Sequence, residues 1–202
     1  MEEYLDVFND AFEHIGTAPR SQVHQKGLLH RVAHCWIIGK KQPVLYFQQR
    51  AQDKKDFPNY YDIACGGHIS AGEQVLPAMI REIWEELGLT VEPSQLISLG
   101  NYRVPDLKLP HFYDRAMASV YVMHIDIPHF APGEEVSRMI CVKIADFCRM
   151  ELKQAAEIPV QDMDGNTFFI KKEQWCCHDG AFETIVLPYI RSIFPADTDR
   201  ND

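Results

Sequence analysis

The stretch GGHISAGEQVLPAMIREIWEELGL, Gly66 to Leu89, decides how this chain reads. It opens as a glycine-rich turn and continues as an apolar-periodic helix. Val75, Met79, Ile83 and Leu87 recur every four residues, with Leu76, Ile80 and Trp84 as an adjacent row. Together they predict a stripe wide enough to bury against a sheet. Pro77 is tolerated only in a first turn, so the helix starts near Gln74 to Leu76. Gly88 is placed to end it.

The same helix sets Glu82, Glu85 and Glu86 on one turn. At about 100° per residue, Glu85 lies about 60° to one side of Glu82 and Glu86 about 40° to the other. The expected arc is narrow and runs beside the buried stripe. Two carboxylates about 5 Å apart repel by roughly 3 kcal/mol at an effective dielectric near ~20. Full exposure reduces that to a few tenths, so a solvated helix face tolerates such a cluster. In a cleft the repulsion is real, and a bound divalent cation removes it. Carboxylate oxygens are hard ligands, suited to Mg²⁺ or Mn²⁺.

Outward from the helix, strands dominate the middle of the chain. His30 to Gly39 and Val44 to Arg50 read as a hairpin across the turn KKQP. AQDKKDFPNY is a polar loop, and Tyr60 to Cys65 leads as a strand into the two glycines. Beyond the helix, Leu96 to Tyr102, Ala116 to Asp126 and Met139 to Ile144 read as strands. VPDLKLPH, with two prolines, reads as irregular. Ala145 to Ala156 reads as helical, and Asp164-Gly165 marks a turn. A last helix is expected from near Asp179 to Phe194, with Pro188 inside it as a kink point. Upstream, Tyr4 to Phe8 reads as a strand and SQVHQKG as a helical turn. The class is α/β with a mixed sheet.

The chain has 202 residues, enough for one domain with a full core. Its formal net charge of −9 argues against a nucleic-acid backbone or an anionic membrane as the main partner. An anionic substrate would need positive charge supplied locally. MEEYLDVFND lacks the features of a signal peptide, and no apolar run approaches a membrane span. Cys35, Cys65 and Cys141 sit inside apolar runs, as buried free thiols do. The expected compartment is cytoplasmic.

Gly67, Glu73 and the run Arg81-Glu82-Ile83-Trp84-Glu85-Glu86-Leu87-Gly88-Leu89 match the Nudix box at every specified position. At average residue frequencies, odds of a chance match are on the order of one in a million or less. The chain therefore resembles the Nudix hydrolase family. That resemblance implies an α/β/α sandwich over residues 28–202, preceded by an N-terminal extension, 1–27. It implies hydrolysis of a diphosphate linkage in a small-molecule substrate, a nucleoside diphosphate derivative or other organic diphosphate, with Mg²⁺ or Mn²⁺, in a family where dimers are common. The implied metal ligands are the Gly66 carbonyl and the carboxylates of Glu82, Glu85 and Glu86. Arg81 would orient the box carboxylates, with Glu73 as its partner. Glu82 is the first choice of base. Glu134 and Glu135, on a later loop, are the alternative base or simply solvated acids.

GLLHRVAHCWII and LYFQQRAQDKKDFPNYYDIACGGHISAGE also look like the Nudix branch that includes isopentenyl-diphosphate isomerase. That enzyme requires a cysteine, a histidine-rich metal site and a carboxylate pair. Here Gly66 stands at the cysteine position, with Cys65 one residue earlier. A one-residue offset in a strand turns a side chain to the other face. His30 and His68 fall where two metal histidines fall, or serve as hydrogen-bonded structural groups. His24 is near a third but offset, and only Asp114 stands near the carboxylate pair. The box here is complete, which favours hydrolysis over isomerisation or a non-catalytic binding domain. Arg50, Arg103 and Arg115 are candidates for phosphate binding or for salt bridges. Tyr102, Phe112 and Tyr113 could stack on a flat group or pack in the core. Trp175-Cys176-Cys177-His178 lacks the second ligand cluster a zinc site needs.

Overall fold

A computed structural model describes residues 2–126, 128–176 and 180–198. The spine of the fold is β3, Leu29–Gly39, eleven residues long and buried almost throughout. Along one edge it pairs in parallel with β10, Ala116–Ile125, from His30 to Gly39. Its other edge is shared by three antiparallel neighbours. These are β1 (Tyr4–Phe8), β6 (Cys65–His68) and β4 (Val44–Arg50). The sheet is therefore mixed, as its residue pattern predicts.

The remaining elements extend this frame. β1 forms a hairpin with β2, His14–Pro19, and α1 follows at Arg20–Lys26. β5, Tyr61–Ile63, pairs with β4. α2 spans Val75–Leu87. β7, Leu96–Arg103, pairs with β10. β8 (Leu107–Leu109) and β9 (Phe112–Asp114) form a separate two-stranded hairpin. β11, Val136–Lys143, pairs with β4 and leads to α3, Ile144–Glu151. β12 (Glu157–Asp162) and β13 (Thr167–Lys171) extend the β11 side of the sheet. A π-helical turn at Phe182–Val186 runs into α4, Leu187–Ile193.

Alternation along β3 builds two cores. Ala33, Cys35 and Ile37 join Met79, Ile83 and Leu87 of α2. Val32, Trp36 and Ile38 join Phe147 of α3 and Leu187 and Ile190 of α4. Side chains on successive strand residues point to opposite faces, so one buried strand feeds both layers. The result is the expected α/β/α sandwich.

Several local expectations change. The Tyr60 to Cys65 strand breaks at Ala64, because β5 pairs with β4 whereas β6 pairs with β3. VPDLKLPH is not wholly irregular: Leu107–Leu109 turns back on Phe112–Asp114 between its prolines. The Asp164-Gly165 turn joins β12 and β13, which the sequence did not announce. The helix expected to Ala156 ends at Glu151. Pro188 lies in the first turn of α4, where its missing N–H is harmless, and the kink is absorbed by the π-helical turn before it. Asp179, the expected start of that helix, lies outside the described residues.

α2 has the bounds its pattern predicts, but not the whole stripe. Ala78, Met79, Ile83, Glu86 and Leu87 are buried, whereas Trp84 is 63% exposed. Each four-residue step advances about 40° around a helix, so by Trp84 the second row has rotated off the contact face. Gly88 closes the helix at φ 65°, its N–H donating to the Trp84 carbonyl at 3.0 Å. A Cβ there would lie 2.5 Å from the Ala131 carbonyl oxygen. Gly88→Ala is expected to cost roughly 2 kcal/mol, from the left-handed backbone and that contact together. Urea unfolding checks this, and an unchanged midpoint would contradict it.

Candidate functional site

The glutamate helix lies over β6, and the two elements assemble the site. Arg81 is its organiser. Its Nε and Nη2 donate to the two carboxylate oxygens of Glu73 at 3.1 and 3.0 Å. Its Nη1 donates to Glu82 at 2.8 Å and to Glu85 at 2.9 Å. Nη2 also reaches the His68 carbonyl at 3.4 Å. Burial pushes the Glu73 carboxyl up, but hydrogen bonds from Arg81 and Ser70 outweigh it and leave Glu73 below its usual range. The Glu73 hydrogen bonds in turn lead the upward shift of the Arg81 guanidinium.

The three acids are not equivalent. Glu85 is exposed, Glu82 is partly covered, and Glu86 is buried at 6% exposure. Glu86 therefore belongs to the contact face rather than beside it, a correction to the expected arc. Its angular position falls between Ala78 and Met79, in the centre of the buried residues. Inside, Glu86 Oε2 accepts from Gln48 Nε2 at 3.1 Å and from the Gly66 N–H at 3.2 Å. The Cys65 thiol also bonds this carboxylate. Burial nevertheless dominates and pushes the Glu86 carboxyl up to about 8. Burial likewise raises Glu82, against the pull of Arg81.

These residues fit a divalent cation. Their donors are hard oxygens on one helix turn, with Gly66 alongside. Burial raises Glu82 and Glu86, so ionising either carboxyl there has a cost that a bound cation would offset. Space is reserved as well: a Cβ at Gly67 would overlap the Glu82 carboxyl group.

The later loop lies against α2. Ala131 N–H donates to the Leu87 carbonyl at 2.9 Å, and Gly133 N–H to the Glu86 carbonyl at 3.0 Å. Glu134 there is exposed, and Glu135 pairs with Lys54. The three arginines are engaged elsewhere. Arg50 holds the Asp56 carbonyl at 2.9 and 3.2 Å and Asp62 at 3.3 Å. Arg103 and Arg115 both grip Asp106, at 2.6 and 3.1 Å. Arg115 also reaches Asp10 at 2.7 Å. Tyr102 packs at the edge of the core. Cys177 and His178 lie outside the described residues.

A second cluster forms on the other side of β6. Candidate ligand atoms of His24, His30 and His68 all lie within 4.8 Å of one another. The Nε2 atoms of His24 and His68 are 3.3 Å apart. Asp114 Oδ1 is 3.5 Å from His30 Nε2 and 3.9 Å from His24 Nε2. Burial lowers all three imidazoles, His24 to about 3. Neutral rings present lone pairs, and His30 Nε2 is buried with no hydrogen-bond partner among the described residues. Three nitrogens and a carboxylate suit a transition metal. The sequence put His24 near a third ligand position but offset; it arrives from α1 while its partners sit on β3, β6 and β9.

A mixed sheet between helices, with a glycine turn feeding a carboxylate-bearing helix, defines the Nudix class. Residues 28–162 match the NUDIX domain family, and the chain belongs to it. An uncharacterized Nudix hydrolase of Clostridium acetobutylicum is 35% identical over 123 residues, 60% of this chain and 59% of that protein. The chain thus spans under two-thirds of that relative's length. The isopentenyl-diphosphate Delta-isomerase of Serratia proteamaculans is 34% identical over 136 residues, 66% of this chain and 73% of that one. Relatives therefore include both hydrolases and isomerases. A solved structure of the Deinococcus radiodurans protein DR0079 shares the fold at TM-score 0.55 and 23% identity. It covers 75% of this chain and 90% of the other. Among the described residues, no helix is long and apolar enough to cross a membrane.

Glu86 has a measurable signature. Below the ordinary carboxyl value of 4.5, folded and unfolded chains are both protonated there and burial costs nothing. Between that value and about 8, only the unfolded chain ionises freely. Stability therefore falls as pH rises through this window, by on the order of 5 kcal/mol at most. In divalent-free buffer, Glu86→Gln is expected to flatten that decline. Urea unfolding at several pH values reads it, and parallel pH profiles would refute the assignment.

Proposed function

We propose that this Nudix chain is a divalent-cation-dependent hydrolase that cleaves a small organic diphosphate by water attack on phosphorus. The observation that carries this reading is the Arg81-centred array, with Glu82 and Glu85 gathered at one guanidinium and Glu86 buried beside them. Residues 28–202 form the catalytic domain in this reading, and 1–27 the extension. Glu82, Glu85, Glu86 and the Gly66 carbonyl hold Mg²⁺ or Mn²⁺. The cation supplies charge neutralisation for the diphosphate and Lewis acidity at the reacting phosphorus.

The protein's own groups do the rest. Glu82, raised by burial, accepts a proton from the attacking water as the oxygen–phosphorus bond forms and the bridging P–O bond breaks. Arg81, fixed bidentately on Glu73, orients the Glu82 and Glu85 carboxylates. Gln48, Cys65 and the Gly66 N–H fix the rotamer of Glu86. The burial of Glu82 and Glu86 supports this, since a bound cation offsets the cost of ionising carboxyls in that place.

Isomerase-type chemistry is the second reading, favoured by the histidine cluster with Asp114. Against it stands Cys65, fully buried and pushed well above its ordinary value by burial and by Glu86. Thiolate chemistry needs the opposite environment.

A release assay separates the readings, using a panel of nucleoside diphosphates, nucleotide sugars and isoprenyl diphosphates with Mg²⁺ or Mn²⁺. Glu82→Gln and Glu86→Gln are each expected to lower product release at least ~100-fold. Cys65→Ser should leave the rate within about threefold. Equal rates for wild type and Glu86→Gln would end the hydrolase reading. No release from any substrate, with an isoprenyl diphosphate instead isomerised by wild type and not by Cys65→Ser, would support the isomerase.

A further inference from the structure

A concavity of about 730 Å³ lies away from the glutamate face. It is bounded by α1, the loop after β4 and the β8–β9 hairpin. Lys26, Lys55 and Lys108 line it, with His111, Phe112 and Tyr113. No carboxylate lines it. In a chain with 29 acidic and 20 basic residues, that composition is a local inversion of charge. It supplies the positive charge that an anionic substrate requires. A concave wall of one sign also focuses the field on its interior.

The aromatic wall is built, not incidental. Gly27, at φ 62°, lets the Tyr113 ring sit where any Cβ would collide with it. The Tyr113 hydroxyl donates to Asp106 at 2.9 Å, and Arg103 and Arg115 hold that same carboxylate. The arginines thus act as a brace for the cleft wall. Lys108 Nζ stands 5.1 Å from the centre of the Tyr113 ring. Phe112 packs on His24 at 4.7 Å between ring centres, so the cleft opens beside the histidine cluster. His68, one residue beyond Gly67, continues the path to Arg81.

We propose that this cleft is a substrate subsite for a phosphate-bearing group that carries a flat ring. Lys26, Lys55 and Lys108 are the counter-charges, and Phe112 and Tyr113 are the platform for the ring. Ammonium groups on flexible stems bind phosphate as point charges, and an aromatic face favours a planar group over a branched aliphatic chain. The proposal rests on the hydrolase reading for its place in turnover but is tested apart from it.

Calorimetric titration in EDTA, without divalent cations, uses three probes: ADP, inorganic diphosphate and isopentenyl diphosphate. ADP is expected to bind more tightly than either of the others. The double charge reversal Lys26→Glu with Lys108→Glu, both at exposed positions, should weaken ADP at least ~10-fold. Tyr113→Leu should weaken ADP and spare inorganic diphosphate. Because the titration runs without divalent cations and reads binding alone, failure of the catalytic reading leaves this result distinct. The proposal is overturned if ADP does not bind, if the charge reversal leaves its affinity unchanged, or if isopentenyl diphosphate binds as tightly as ADP.

Discussion

One guanidinium governs the arrangement of the whole site. Arg81 reaches Glu73 before the helix, Glu82 and Glu85 on it, and the His68 carbonyl on β6. It thereby ties the loop, the helix and the strand together. Three carboxylates around one cation leave a net negative charge, and Glu86 adds a buried carboxyl that Arg81 does not serve. The fold accepts that electrostatic cost in a place where a dication would relieve it. A structural ion pair would need neither the surplus acids nor the burial.

The pleat of β6 divides the chemistry. Cys65 and Gly67 face the helix, where one bonds Glu86 and the other makes room for Glu82. His68 faces the opposite way and meets His24 and His30. A four-residue strand therefore separates an oxygen-rich cluster from a nitrogen-rich one, by alternation alone. The same alternation explains why Cys65 is shielded from solvent. It sits on the packed side, among Ala33, Met79 and Ile83.

Much of this was legible in the residues. The helix bounds, its glycine stop, the central strands and the crowding of Glu82, Glu85 and Glu86 all follow from local periodicity. The pairing of Arg81 with Glu73 followed from the motif. Other features were not legible for definite reasons. Trp84 carries a hydrophobic side chain, but only helix phase decides its exposure. Strand Glu157–Asp162 reads polar at alternate positions beside a proline, and its pairing with β11 is non-local. The partners of Arg103 and Arg115 depend on where Asp10 and Asp106 arrive in space.

By itself, then, the sequence determined which side chains share a face, because helix and strand periods act over a few residues. It determined the acid-rich turn and the class of fold. Tertiary structure alone decided that Glu86 lies inside while Glu85 lies outside, since burial depends on what packs opposite. It alone brought His24 to His30 and His68, and assembled three lysines around one cleft. Those groups come from segments far apart in the chain, and no local rule measures the distance between them.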